Sequence, residues 1–203
     1  MRTRKAWPSL LLTLVLAVPA VAAPQDKPMA ASAAPAMDAM TEAYMKAASP
    51  GPQHERLAKM VGHWTTQTKM WMDPSKPPQE STGTMDSAMA LGGRYLVSIH
   101  RGQMMGMAFE GHELDGYDNV SGRYVGAWID NMGTGVMSLT GDLDASGKVM
   151  TMTGEIVDPL THKKMTYKGV STHVDDDTFR YDSYMVDGGK EVKVMEMTGK
   201  RVK

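Results

Sequence analysis

From Gly62 to its end the chain alternates side chains with period two and interrupts that alternation at short, regularly spaced turn signals. No other pattern restricts the fold as much, because strands put successive side chains on opposite faces whereas helices group them every three to four positions. Trp64, Thr66, Thr68, Met70 and Met72 share one side of the first such segment. Turn residues then recur at Asp73-Pro74, Gly92-Gly93, Asp118-Asn119, Asn131-Met132-Gly133, Asp144 to Gly147, Asp158-Pro159, Asp175 to Asp177 and Gly188-Gly189. This spacing predicts about ten strands joined by tight turns, with no helix-length apolar period between them, so the fold class is all-β and antiparallel. Ten strands left open would offer two long edges to other chains, so closure into a barrel that encloses a cavity is expected. A two-sheet sandwich is the alternative.

What precedes Gly62 is different in kind. Seven of the 11 Pro lie within the first 52 residues, whereas 19 of the 20 Gly lie after residue 60. Leu57, Met60 and Val61 fall at helical spacing over Gln53 to Val61, predicting one short helix that caps a barrel end. Residues 23–50 are rich in Ala, Pro and small polar side chains and read as a flexible tether, with room for a short helix over Met37 to Ala47. Arg2, Arg4 and Lys5 ahead of the apolar Leu10 to Val18, with Ala20-Val21-Ala22 after it, read as a secretory signal over residues 1–22 cleaved after Ala22. That apolar run is too short for a stable membrane span. The expected organisation is therefore signal 1–22, linker 23–50 and barrel 51–203, in a periplasmic or secreted protein without a stable membrane anchor.

Charge and cysteine content exclude several function classes. With the signal removed, 19 basic and 23 acidic residues remain, a net charge of −4 without a long basic run, which argues against nucleic acid as a partner. The absence of Cys excludes a thiolate zinc site, a cysteine nucleophile, an iron–sulfur cluster and a lipoprotein anchor. No G-x-S-x-G elbow, H-E-x-x-H pair or phosphate loop is present.

Gly62-His63-Trp64 at the head of the first strand resembles the G-x-W signature of lipocalin-like (calycin) barrels, in which the Trp packs across the closed end. Longer runs are more specific: His54-Glu55-Arg56-Leu57, Lys69-Met70-Trp71-Met72, Leu91-Gly92-Gly93-Arg94-Tyr95-Leu96, Met104-Met105-Gly106-Met107, Gly116-Tyr117-Asp118-Asn119 and Trp128-Ile129-Asp130-Asn131-Met132-Gly133. Over residues 51–201 they resemble the bacterial domain-of-unknown-function family fifteen seventy-nine. The resemblance implies a lipocalin-like barrel and brings no catalytic residue, cofactor or substrate with it.

Function must then be read from side chains, and methionine stands out. Fifteen of the 21 Met lie from residue 62 onward, with i, i+2 pairs at Met70 and Met72, Met105 and Met107, Met150 and Met152, and Met195 and Met197. Met is flexible and polarisable and adapts to variable apolar ligands, so a Met-lined cavity for a small apolar or amphipathic molecule is the leading expectation. Its contacts are expected from Met70, Trp71, Met72, Met105, Met107, Phe109 and Trp128. Arg101 shares a strand face with Tyr95, Val97 and Ile99 and would meet a ligand carboxylate if that face pointed inward, a surface position being the plainer reading. A filled structural barrel is the bland alternative.

Two cofactor readings compete with it. Thioethers suit copper, with Met104, Met105 and Met107 near His100 and His112, although Met104 should point away from the other two on a regular strand. Haem would need one inward His, for which His100 and His173 are candidates. Acid–base catalysis would need a pair of carboxyls in the cavity with separated pKa values, and Glu110, Glu113, Asp115 and Asp130 are the acids nearest such a pattern. Asp118 and Asp130 sit beside turn residues, where local backbone bonding is the simpler role. An enzyme is the less favoured reading.

Overall fold

A computed structural model describes residues 33–203, with side chains from residue 38 onward. The expected signal at 1–22 and residues 23–32 of the expected tether lie outside the described residues. The chain divides into two compact units, Met1–Ala39 and Met40–Lys203. Helix α1, Ala33–Ala48, is longer than the helix allowed over Met37 to Ala47. Its last carbonyls are capped by side chains: Arg94 Nε donates to Ala48 O at 2.9 Å, and Asn119 Nδ2 to Ala47 O at 2.9 Å. Helix α2, Pro52–Ala58, follows, with Pro at its first turn, where the missing N–H is not needed.

Ten strands complete the chain: β1 (Gly62–Met70), β2 (Gln79–Ala90), β3 (Tyr95–Met104), β4 (Met107–Asp118), β5 (Arg123–Asp130), β6 (Met137–Leu143), β7 (Val149–Val157), β8 (Lys164–Asp175), β9 (Thr178–Asp187) and β10 (Lys190–Arg201). Each pairs antiparallel with its sequence neighbours, and β1 pairs with β10, so the sheet closes into a barrel with no edge. Glycines at φ > 0 make the tightest reversals. At β9–β10 the loop is Gly188-Gly189, with φ of 55° and 84°. At β3–β4 it is Met105-Gly106, with φ of 52° and 77°, the left-handed pair that a two-residue hairpin requires.

Burial assigns the faces that period two alone left open. Trp64 and Thr66 are buried while His63, Thr65 and Gln67 are exposed. Carried through the registers, Trp64 lies opposite Met85 on β2 and Arg201 on β10, and all three point inward.

One end of the barrel is plugged. Leu57 of α2 packs with Leu96, Tyr124, Leu139 and Met152, and a second cluster joins Trp64, Met85 and Phe179. Trp64 meets Phe179 edge to face at 5.2 Å and donates from Nε1 to Met60 O at 3.0 Å. The Arg201 guanidinium covers the other side of the indole, 4.0 Å from the ring centroid, and donates to Val61 O at 2.5 Å and Lys59 O at 2.7 Å. Arg201 thus staples the segment after α2 onto Trp64. Between α2 and β7–β9 only about 50 Å³ of space is left.

Phe179 holds that position because Gly199 lies under its ring: a Cβ built on Gly199 would fall on the ring carbons. Gly199→Ala is therefore expected to push Phe179 off Trp64 and cost about 2 kcal/mol, a thermal midpoint lower by roughly 4–8 °C in circular dichroism melts. An unchanged midpoint would mean that the ring has room to move.

Candidate functional site

Beyond the plug the inner wall is not apolar. The inward rows of β3 and β4 read Leu96, Ser98, His100 and Phe109, Gly111, Glu113, Asp115, and the registers place Ser98 opposite Glu113 and His100 opposite Gly111. Ser98 shares a 2.8 Å hydrogen bond with Ser87 of β2. His100 Nε2 lies 3.2 Å from Glu113 Oε2. From the far wall, the hydroxyls of Tyr167 on β8 and Tyr181 on β9 share a 2.7 Å hydrogen bond. Gly169 leaves the space that Tyr181 occupies, since a Cβ there would meet its phenol.

These groups are enclosed by the barrel and still touch solvent: the Glu113 side chain is 29% exposed and His100 12%. These inward side chains keep accessible surface toward the barrel lumen at this end. Asp115 is surrounded by barrel atoms while its carboxyl, half-buried by its own surface, faces the same space. Among the described residues no basic side chain forms an ion pair with it. Burial, and then the negative charge of Glu113, pushes Asp115 well above the usual carboxylate range. Burial likewise raises Tyr167, and raises Tyr181 well above an ordinary phenol, with Tyr167 beside it adding to the effect. Both phenols are therefore hydrogen-bond donors at any ordinary pH.

Above this floor stands an aromatic wall. Phe109 and Trp128 stack at 6.3 Å with ring planes 20° apart, and His100 meets Trp128 edge to face at 5.2 Å. Trp128 Nε1 donates to Asp130 Oδ2 at 2.7 Å, which fixes the indole against Gly111. Methionines surround the open side: Met70 faces Met195, Met104 faces Met107, and Met137 faces Trp128.

The structure distributes the expected contact residues unevenly. Met70, Phe109 and Trp128 are inward, and Met107 is inward at the rim with half its surface exposed. Trp71 and Met72 follow the end of β1, Met72 being 61% exposed. Met105 does not share a face with Met107, because the chain reverses between Met104 and Met107 and leaves Met105 in the turn, 49% exposed. For the same reason Met104 and Met107 oppose each other on the inner face. Arg101 points outward, donating to Glu110 Oε2 at 2.9 Å and Asp86 Oδ2 at 3.3 Å.

Both histidines named for haem, His100 and His173, are on the inner face, His100 in the lumen and His173 beside α2 and Phe179 at the plugged end. Among the described residues no three His, Asp or Glu side chains gather as metal ligands. Asp118 and Asp130 have the local roles their turns suggest, accepting from Val120 N and Met132 N at 2.9 Å each. Tyr167 and Tyr181 were not legible as a pair, because the β8–β9 hairpin sets Tyr167 opposite Met185 and Tyr181 opposite Ser171, and the two phenols meet only because Tyr181 leans over Gly169. A polar groove of about 830 Å³ crosses β10, β1, β2 and β3, lined by outward residues such as Gln67, Lys69, Glu80 and Gln103 together with Thr68, Ser81 and Gly102 of the inward rows.

Residues 49–201 match DUF1579, described as a protein of unknown function, and the chain belongs to that family. The crystal structure of Rv2717c from M. tuberculosis is similar at a TM-score of 0.57 with 14% identity, over 76% of this chain and all of that one. A redesigned β-barrel aligns at a TM-score of 0.38 with 15% identity, over 73% of this chain and 96% of its own. No curated protein matches the chain.

Proposed function

We propose that this member of the DUF1579 family binds or carries a small amphipathic molecule in the barrel lumen. The observation that carries the reading is the accessible surface kept by Glu113 and His100 inside a closed wall, beside the stacked Phe109–Trp128 pair. Ligand cavities combine apolar and aromatic lining with a few placed polar groups, and the lumen has that composition. Met70, Met107 and Met195 supply adaptable apolar contact, Trp128 a flat face, and the His100–Glu113 pair with the two phenols an orienting floor. The sequence of the leader supports an exported, periplasmic or secreted setting for this role.

Titration with Nile red, a neutral dye that brightens in apolar sites, tests it. Binding is expected, weakened about tenfold by Trp128→Ala and unchanged by Met72→Ala outside the lumen. Absence of binding, or equal affinity in both variants, would contradict the lumen as the site. Phe109→Leu, a milder change in the same wall, should weaken binding in the same direction if Trp128→Ala unfolds.

A further inference from the structure

The lumen's charge says which head group it takes. Glu113 and Asp115 lie two positions apart on the inward row of β4, about 7 Å along the strand, and so present their carboxyls to one space. Among the described residues the titratable groups near them are His100 of the neighbouring β3, Tyr167 of β8 and Tyr181 of β9 from the far wall, and Tyr117, Tyr124 and Asp130 on the inward rows of β4 and β5. Arg201 is committed to the plug, Arg101 to Glu110 and Asp86 outside, Lys168 to Glu191 and Lys193 to Asp182, while Arg56 of α2 acts on Tyr124 at the plugged end and not on Asp115. Asp115 is left enclosed, facing the lumen without a cationic partner, an arrangement that costs stability unless something fills it.

A second observation, independent of the acids, points the same way. Trp128 lies opposite Glu113 in register, with Phe109 stacked on it, and an indole is the side chain over which cations rest best. From the carboxyl pair, the missing counter-charge and this aromatic wall, we infer that the lumen selects amphipathic cations, an alkyl chain among the methionines and an ammonium head between Glu113, Asp115 and Trp128. The inference rests on the lumen being the binding site and goes further by naming the ligand's chemical class. It also reverses the polarity expected had Arg101 pointed inward.

Calorimetric titration of the full chain with dodecylammonium and with dodecanoate, both below their micelle concentrations, separates the possibilities. Dodecylammonium is expected to bind at least about tenfold more tightly, and Glu113→Gln to remove most of that preference while leaving dodecanoate unchanged or improved. Dodecanoate binding as well as or better than the ammonium would overturn the cation selectivity and leave the lumen site standing. Neither probe binding would overturn both. An unchanged preference in Glu113→Gln would remove Glu113 from the site and overturn the inference, and should that variant not fold, the two-probe comparison on the native chain decides alone.

Discussion

Replacing Trp64 with Ala is expected to cost about 3–5 kcal/mol, the usual range for deleting a fully buried indole. Trp64 is 1% exposed and serves three neighbours at once: Phe179 at its edge, the Arg201 guanidinium on its face and the Met60 carbonyl at Nε1. A domain's whole stability is about 5–15 kcal/mol, so the variant should melt roughly 6–20 °C lower. Trp64→Phe keeps a ring but loses the donor to Met60 O and should fall between, about 1–2 kcal/mol below the native chain. A Trp64→Ala midpoint within a few degrees of native would mean that the plug does not hold the barrel together.

Asp115→Asn is expected to act in the opposite direction. The folded-state pKa of Asp115 is raised by burial and by the charge of Glu113, so the native chain binds a proton there that the unfolded chain releases. Its contribution is complete below the ordinary carboxylate range and is lost as pH rises through the raised folded value. At pH 8, far above the ordinary carboxylate range, Asp115 opposes folding whether it holds its proton or gives it up, with Glu113 on its own strand and Tyr181 of β9 as charged or titratable neighbours. Asn keeps the shape without the charge, so the variant should be more stable than the native chain by of order 1–2 kcal/mol at pH 8. The gain should shrink on acidification toward pH 4. Melts across that range check it, and equal stability at pH 8 would mean that lumen water solvates the carboxylate fully. Glu110, on the outer face, has the reverse sign: hydrogen bonds from His112 and then Arg101 lower its pKa, so the stability it lends is lost as pH falls.

The barrel was legible in the sequence because strand period and turn chemistry are local. Gly188-Gly189 and Asp118-Asn119 close their hairpins for reasons that need no knowledge of the rest of the chain. The facing of the strands was not, because hydrophobicity does not separate inside from outside where the inner rows are partly polar. On β3 the apolar row Tyr95, Val97, Ile99 is the outer one, and Arg101 belongs to it, while the inner row carries Ser98 and His100. The acids Glu113 and Asp115 were visible as an alternating pair, yet their inward direction depends on that same undetermined choice. Met150 and Met152 do share the inner face as their spacing suggested, since β7 runs unbroken through both. Met70 and Met72 do not, because β1 ends at Met70.

The central claim is that the lumen holds a small molecule. Native mass spectrometry of the full chain, gently purified and then mixed in separate samples with dodecylammonium and with dodecanoate, tests it most directly. The account predicts a complex heavier than the polypeptide by one small molecule, released on unfolding and diminished in Trp128→Ala. A bare polypeptide mass both as purified and after mixing would contradict it and mark the barrel as a scaffold that carries nothing inside.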